Sequence, residues 1–147
     1  MALKERLMAD MKLAMKNKDV IRKNTVQMVR SAILQYEKDN QTELDDEGII
    51  DVIAKELKQR RDSLPDFEKS GREDLIANLK AEMAVLMEYL PEQLSEEELA
   101  SVIQEAITQT GASSIKDMGK VMGIVTAKTK GRADAKLIGA LAKKMLS

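Results

Sequence analysis

Six cationic side chains lie close together near the end of the chain, at Lys116, Lys120, Lys128, Lys130, Arg132 and Lys136, opposed there only by Asp117 and Asp134. Ammonium and guanidinium groups in such a setting hold anions, and the phosphates of a nucleic-acid backbone ask for nothing more. From residue 113 onward there are seven Lys and one Arg against two Asp, a net of +6, in a protein whose formal net charge is −1. The first 112 residues are correspondingly acidic. That asymmetry points to an anionic partner for the basic part. A charge cluster is also what an ordinary solvated face looks like, and Lys128, Lys130, Gly131 and Asp134 each fit a role at a helix end.

Bond-making chemistry has few supports. The chain has no His and no Cys, which excludes imidazole bases, thiol nucleophiles and the metal sites built on either. "SIKDMGKV" ends in the Gly-Lys of a phosphate loop. It has Ser114 where the first glycine belongs, however, and Val121 after the lysine, and it follows no strand. A Ser–Lys acyl-transfer pair is conceivable at Ser113 or Ser114, but both serines sit where a helix needs a cap. No catalytic residue, metal site or cofactor is expected.

Gly119 and Gly123 stand inside a helical pattern in which Ile115, Met118, Val121, Met122 and Val125 share one side. Each mid-helix glycine costs about 1 kcal/mol relative to alanine, so two in five residues need a reason. Close approach of something to the backbone is the usual one. Either a neighbouring helix packs there or an external partner does. Gly119, Gly123 and Gly131 are thus the candidate close-approach glycines.

The elements that must position these groups are helices. Leu3, Leu7, Met11 and Met15 form a first stripe, and Ile21, Thr25, Val29, Ile33 and Tyr36 a second. After "DNQT", Thr42 is expected to cap a third helix with Ile49, Ile53, Leu57 and Leu64 on one face, ended or kinked at Pro65. Leu75, Leu79, Met83, Leu86 and Leu90 make a fourth stripe. "LPEQLSEEEL" is the clearest boundary, since Pro91 stops a helix and Ser95 with Glu98 fits a capping box. A fifth helix follows, carrying Leu99, Val102, Ile103 and Ile107 and closed by Gly111. The sixth begins at Ser113 or Ser114 and runs to about Lys128. The seventh is capped by Asp134 and has Leu137, Ile138, Leu141 and Met145 on one face. The expectation is an all-α protein: a four-helix N-terminal part, residues 1–90, and a three-helix C-terminal part, residues 91–147.

Phe67, Tyr36 and Tyr89 are the only aromatics, so the core must be aliphatic, with Met11, Met15 and Met83 as filler. Scarce aromatics also argue against base-stacking recognition of single strands. No apolar run reaches the ~18 residues of a membrane span. The absence of an export signal and of cysteine points to the cytoplasm.

"LPEQLSEEEL", "GASSIKDMGKVMG" and "KGRADAKLI", with "ELKQRRDSLPDF" nearer the N-terminus, resemble the hallmark segments of the YqeY family, over essentially the whole chain. The C-terminal part also resembles the tail domain of the GatB subunit of tRNA-dependent amidotransferases. The resemblance implies an all-helical protein with a three-helix GatB/YqeY tail. Its partner would be tRNA, with an aminoacyl-tRNA synthetase or amidotransferase in attendance, and neither DNA nor membrane is expected. The activity implied at the level of the family is that of a carbon–nitrogen ligase with glutamine as amido donor. The residues themselves supply no nucleotide loop, metal cluster or amidase nucleophile, so a non-catalytic tRNA-interacting accessory is expected. The competing expectation is a protein–protein interaction module with no direct RNA contact.

Overall fold

The computed structural model describes residues 2–147, and among these every regular element is helical. The helices are α1 (Leu3–Lys16), α2 (Val20–Asn40), α3 (Asp46–Ser70), α4 (Glu73–Met87), α5 (Glu96–Thr110), α6 (Met118–Lys128) and α7 (Ala135–Leu146), with a 3₁₀ turn at Ile115–Asp117. The chain divides into two compact units, residues 1–90 and 91–147.

The first unit packs α1 on α2, α3 on α4, and α2 on both α3 and α4. Leu7, Val26, Ile33, Ile53, Leu57 and Leu86 are buried at its centre. Each such side chain contributes roughly 1.5–3 kcal/mol on leaving water. Within α1 the buried positions are Leu3, Leu7 and Ala14, while Met11 is only partly buried and Met15 is 57% exposed. Four-residue steps overrun a helical turn by about 40° each, so the stripe rotates off the core before Met15. Tyr36 keeps the direction of the buried Thr25 and Val29 but lies one turn beyond Ile33, past the buried part of α2, and is 46% exposed.

Asp45, not Thr42, caps α3: its Oδ1 accepts the Gly48 amide at 2.8 Å. Neighbouring Asp46 accepts the Leu3 amide at 3.0 Å and so closes the start of α1, where Ala2 offers no cap of its own. Nor does Pro65 end α3, which continues to Ser70 and stops at Gly71 in the left-handed region, φ +70. Packing of α3 along α4, with Phe67 still partly buried beyond the proline, outweighs the one lost backbone hydrogen bond.

Arg60 is buried on α3, and its charge is met by Glu56 at 3.0 Å and Glu82 at 3.3 Å. Lys4 pairs with Glu37, whose second partner is the Leu44 amide at 2.8 Å. The Lys4 ammonium, and then that amide, hold the Glu37 carboxyl below its ordinary pKa. A depressed folded-state pKa stabilises fully above the unfolded value of about 4.3, and the stabilisation fades as pH falls through the folded value. Glu37→Gln should therefore lower the urea midpoint at pH 7 and narrow its fall on acidification to pH 3. Identical pH dependence in the two proteins would contradict this.

The second unit is a three-helix cluster in which α5, α6 and α7 all touch one another. Leu99, Ile103, Val121, Val125, Ile138 and Ala142 form its dry centre. Ser95 and Glu98 make the reciprocal capping box at the start of α5, and Gly111 ends it at φ +70. On α7 the buried side runs through Ile138, Ala142 and Leu146, and Leu137 is exposed. Its neighbour Ile138 takes the inward direction, which leaves Leu137 about 100° away toward solvent.

Candidate nucleic-acid interface

Ser114 caps the 3₁₀ turn rather than α6, its Oγ accepting the Lys116 amide at 3.3 Å. Lys116 therefore lies on the tighter turn ahead of α6 and is exposed there. Asp117 receives the Ser113 amide at 3.0 Å, and Asp134 receives the Lys136 amide at 3.2 Å. Both acids of the basic segment thus serve local backbone caps. The acids of the second unit otherwise sit before α6, most of them in the first turn of α5 at Glu96, Glu97 and Glu98.

Val121 and Val125 bury one side of α6, with Met118 and Met122 partly buried beside them. The opposite side exposes Gly119, Lys120, Gly123, Thr126 and Ala127. A Cβ added at Gly119 or Gly123 would meet no atom within 4 Å beyond its own stretch of helix backbone. The neighbouring-helix explanation of these glycines is thereby removed. Thr126 turns its hydroxyl back to the Met122 carbonyl at 2.7 Å, so it presents little more than a methyl group outward. The result is a shallow strip of nearly bare helix backbone with Lys120 on it and Lys116 just before it.

Lys128 closes α6 and is exposed. It borders a polar groove of about 550 Å³ whose other walls are Ser101, Gln104, Glu105, Thr108 and Gln109 of α5. Lys130 is exposed in the following loop, and Lys136 is exposed in the first turn of α7. Gly131 differs from the other two glycines. Its φ is +74, and its carbonyl accepts the Gln93 side-chain Nε2 at 2.7 Å, so it turns the loop. Arg132 is only partly exposed: its Nε donates to the Glu92 carbonyl at 3.2 Å and its carbonyl accepts the Leu94 amide at 2.9 Å. These bonds strap the segment before α5 to the loop before α7, and they give Arg132 and Gly131 structural duties. Nothing in "PEQL" or "TKGR" signals that pairing, because hydrogen bonds between irregular segments leave no periodic trace.

The family described as Yqey-like protein matches residues 4–146. The chain belongs to the YqeY family. Its relatives include proteins named "Altered inheritance of mitochondria protein 41, mitochondrial". The one from Lachancea thermotolerans is 32% identical over 141 residues, covering 91% of this chain and 75% of the relative. That from Pyrenophora tritici-repentis is 30% identical over 130 residues, 87% of this chain and 71% of its own. That from Kluyveromyces lactis reaches 40% over 102 residues, 67% of this chain and 55% of its own. These names correct the cytoplasmic location expected above, since they place YqeY relatives in mitochondria. Secretory-signal features bear only on the secretory route, and a chain without cysteine records no redox compartment.

Proposed function

We propose that this YqeY-family chain is an accessory protein that docks tRNA through its second unit, the chemistry being carried by a separate synthetase or amidotransferase. The observation that carries the reading is the bare α6 strip at Gly119 and Gly123. Two costly glycines face open space, beside exposed Lys116 and Lys120, in a segment of net +6. A helix backbone without side chains lets a sugar–phosphate chain come close, and flanking lysines neutralise it without reading sequence. The resemblance of the C-terminal part to the amidotransferase tail supports the same partner.

The test is a salt titration of binding to unfractionated tRNA, comparing the unaltered chain with Lys116→Ala/Lys120→Ala/Lys128→Ala. Each neutralised phosphate contributes roughly 0.7–0.9 to the log–log salt slope, so the triple variant should flatten the slope by about 2–3 and weaken different tRNAs alike. Exposed charges usually change stability by less than about 0.5 kcal/mol, so helicity should be unaltered. Equal affinities and slopes in two folded proteins would remove these lysines from any RNA surface. A partner retained from lysate after nuclease treatment, with no tRNA binding by the pure chain, would favour the protein-interaction reading instead.

A further inference from the structure

The first unit carries a groove of about 640 Å³ between α1 and α2 that the RNA reading does not use. Leu7 and Ile33 floor it, and Met8, Ala9 and Leu34 wall it, with Leu34 61% exposed. Leu34 thus leaves a large apolar side chain in water beside an apolar floor. Lys4 and Glu37 on the rim are already paired with each other. Glu5 and Lys12 also line the rim and are exposed.

The order of residues along α1 identifies an occupant. Glu5, Met8, Ala9 and Lys12 follow the i, i+3, i+4, i+7 spacing of one helix face. That face is self-complementary under a two-fold axis. If a second α1 lies antiparallel with the axis between Met8 and Ala9, Glu5 of each copy meets Lys12 of the other, and each Met8 packs over the small Ala9 opposite. An isologous contact requires this reciprocity, in which residue i meets j and j meets i. Three bases (Lys4, Lys12, Arg30) and three acids (Glu5, Glu37, Glu43) line the groove, a balance poorly matched to a purely anionic or purely cationic partner.

We propose that the α1–α2 groove is the interface of a symmetric dimer of this chain, with α1 of each copy seated antiparallel along the other and covering its Leu34. The contact sets which copies meet and in what register, and it is independent of the RNA surface on the second unit.

Sedimentation equilibrium of the full chain, without RNA, tests it from micromolar to millimolar concentration. The unaltered protein should dimerise. Glu5→Lys and Lys12→Glu should each weaken the dimer at least about tenfold, because in a two-fold contact every reversal creates two like-charge pairs. Glu5→Lys/Lys12→Glu together should restore it. Since the chain has no cysteine, Ala9→Cys offers a second readout that needs no charge change. It should form a covalent dimer on mild oxidation, and Gln109→Cys should not. A monomer at every concentration, a dimer indifferent to the single reversals, or a double reversal that fails to restore it would each overturn the proposal.

Discussion

Gly119→Gln/Gly123→Gln is expected to bind tRNA at least about tenfold more weakly, while the protein carrying it becomes more stable. On the proposed reading the glycines serve the partner and not the fold, so the two effects have opposite signs. Neither residue is at positive φ, and a Cβ at either position would find no neighbour within 4 Å, so a side chain enters open space. Replacing a mid-helix glycine by alanine gains up to about 1 kcal/mol. Gly123→Ala, in the interior of α6, should therefore raise the melting temperature of the second unit by about 4–8 °C, and Gly119→Ala, in the first turn, by less. The glutamine pair adds bulk and no charge to the strip, holding a phosphate backbone away from Lys120. A stabilised variant with undiminished binding would show that the strip is bare for no reason connected with RNA. A destabilised variant would show that some packing depends on the glycines.

A second large effect is expected in the core beneath that strip. Ile103 is fully buried on α5, in the centre of the second unit. Ile103→Ala should cost about 2–5 kcal/mol through lost burial and the cavity left behind. At roughly 0.05–0.15 kcal/mol per residue, residues 91–147 hold only about 3–9 kcal/mol in all. The substitution should leave the second unit largely unfolded in mild denaturant and abolish tRNA binding with it. Tyr36 and Tyr89 both belong to the first unit, and the chain has no Trp. Tyrosine fluorescence therefore follows the first unit alone, while circular dichroism follows both. An early loss of helicity with an unmoved tyrosine transition is the expected pattern. Two transitions shifting together would mean that the units unfold as one.

The helical class and most element boundaries were legible because their signals are local. Ser95 with Glu98, Gly111 and Asp134 act within a few residues of themselves and work in the structure as their types suggest. Where the sequence misleads, a distant contact decides. Asp45 displaces Thr42 as the cap in a corner where Glu37 also receives the Leu44 amide, and Pro65 is carried inside α3 by packing on α4. Met15, Tyr36 and Leu137 look like core from spacing alone, but the four-step stripe of α1 rotates away before Met15, Tyr36 lies a turn beyond the last buried position of α2, and Ile138 takes the inward direction beside Leu137. At the candidate interface, the lysines and glycines stand out from their types and spacing. That nothing packs on Gly119 and Gly123, and that Arg132 is tied to Glu92, are facts of three dimensions.

The central claim, that the bare face of α6 receives an RNA backbone, is tested most directly by backbone amide NMR of the folded chain during addition of tRNA acceptor or arm fragments. Glycine amides fall in their own nitrogen-shift range, so Gly119 and Gly123 can be followed individually. Both should shift at low salt together with Lys120 and Lys128, the shifts should fade as salt rises, and the buried Val121 and Val125 should move least within α6. Shifts confined to residues 1–90, or none in α6 at concentrations where binding is measurable, would contradict the claim.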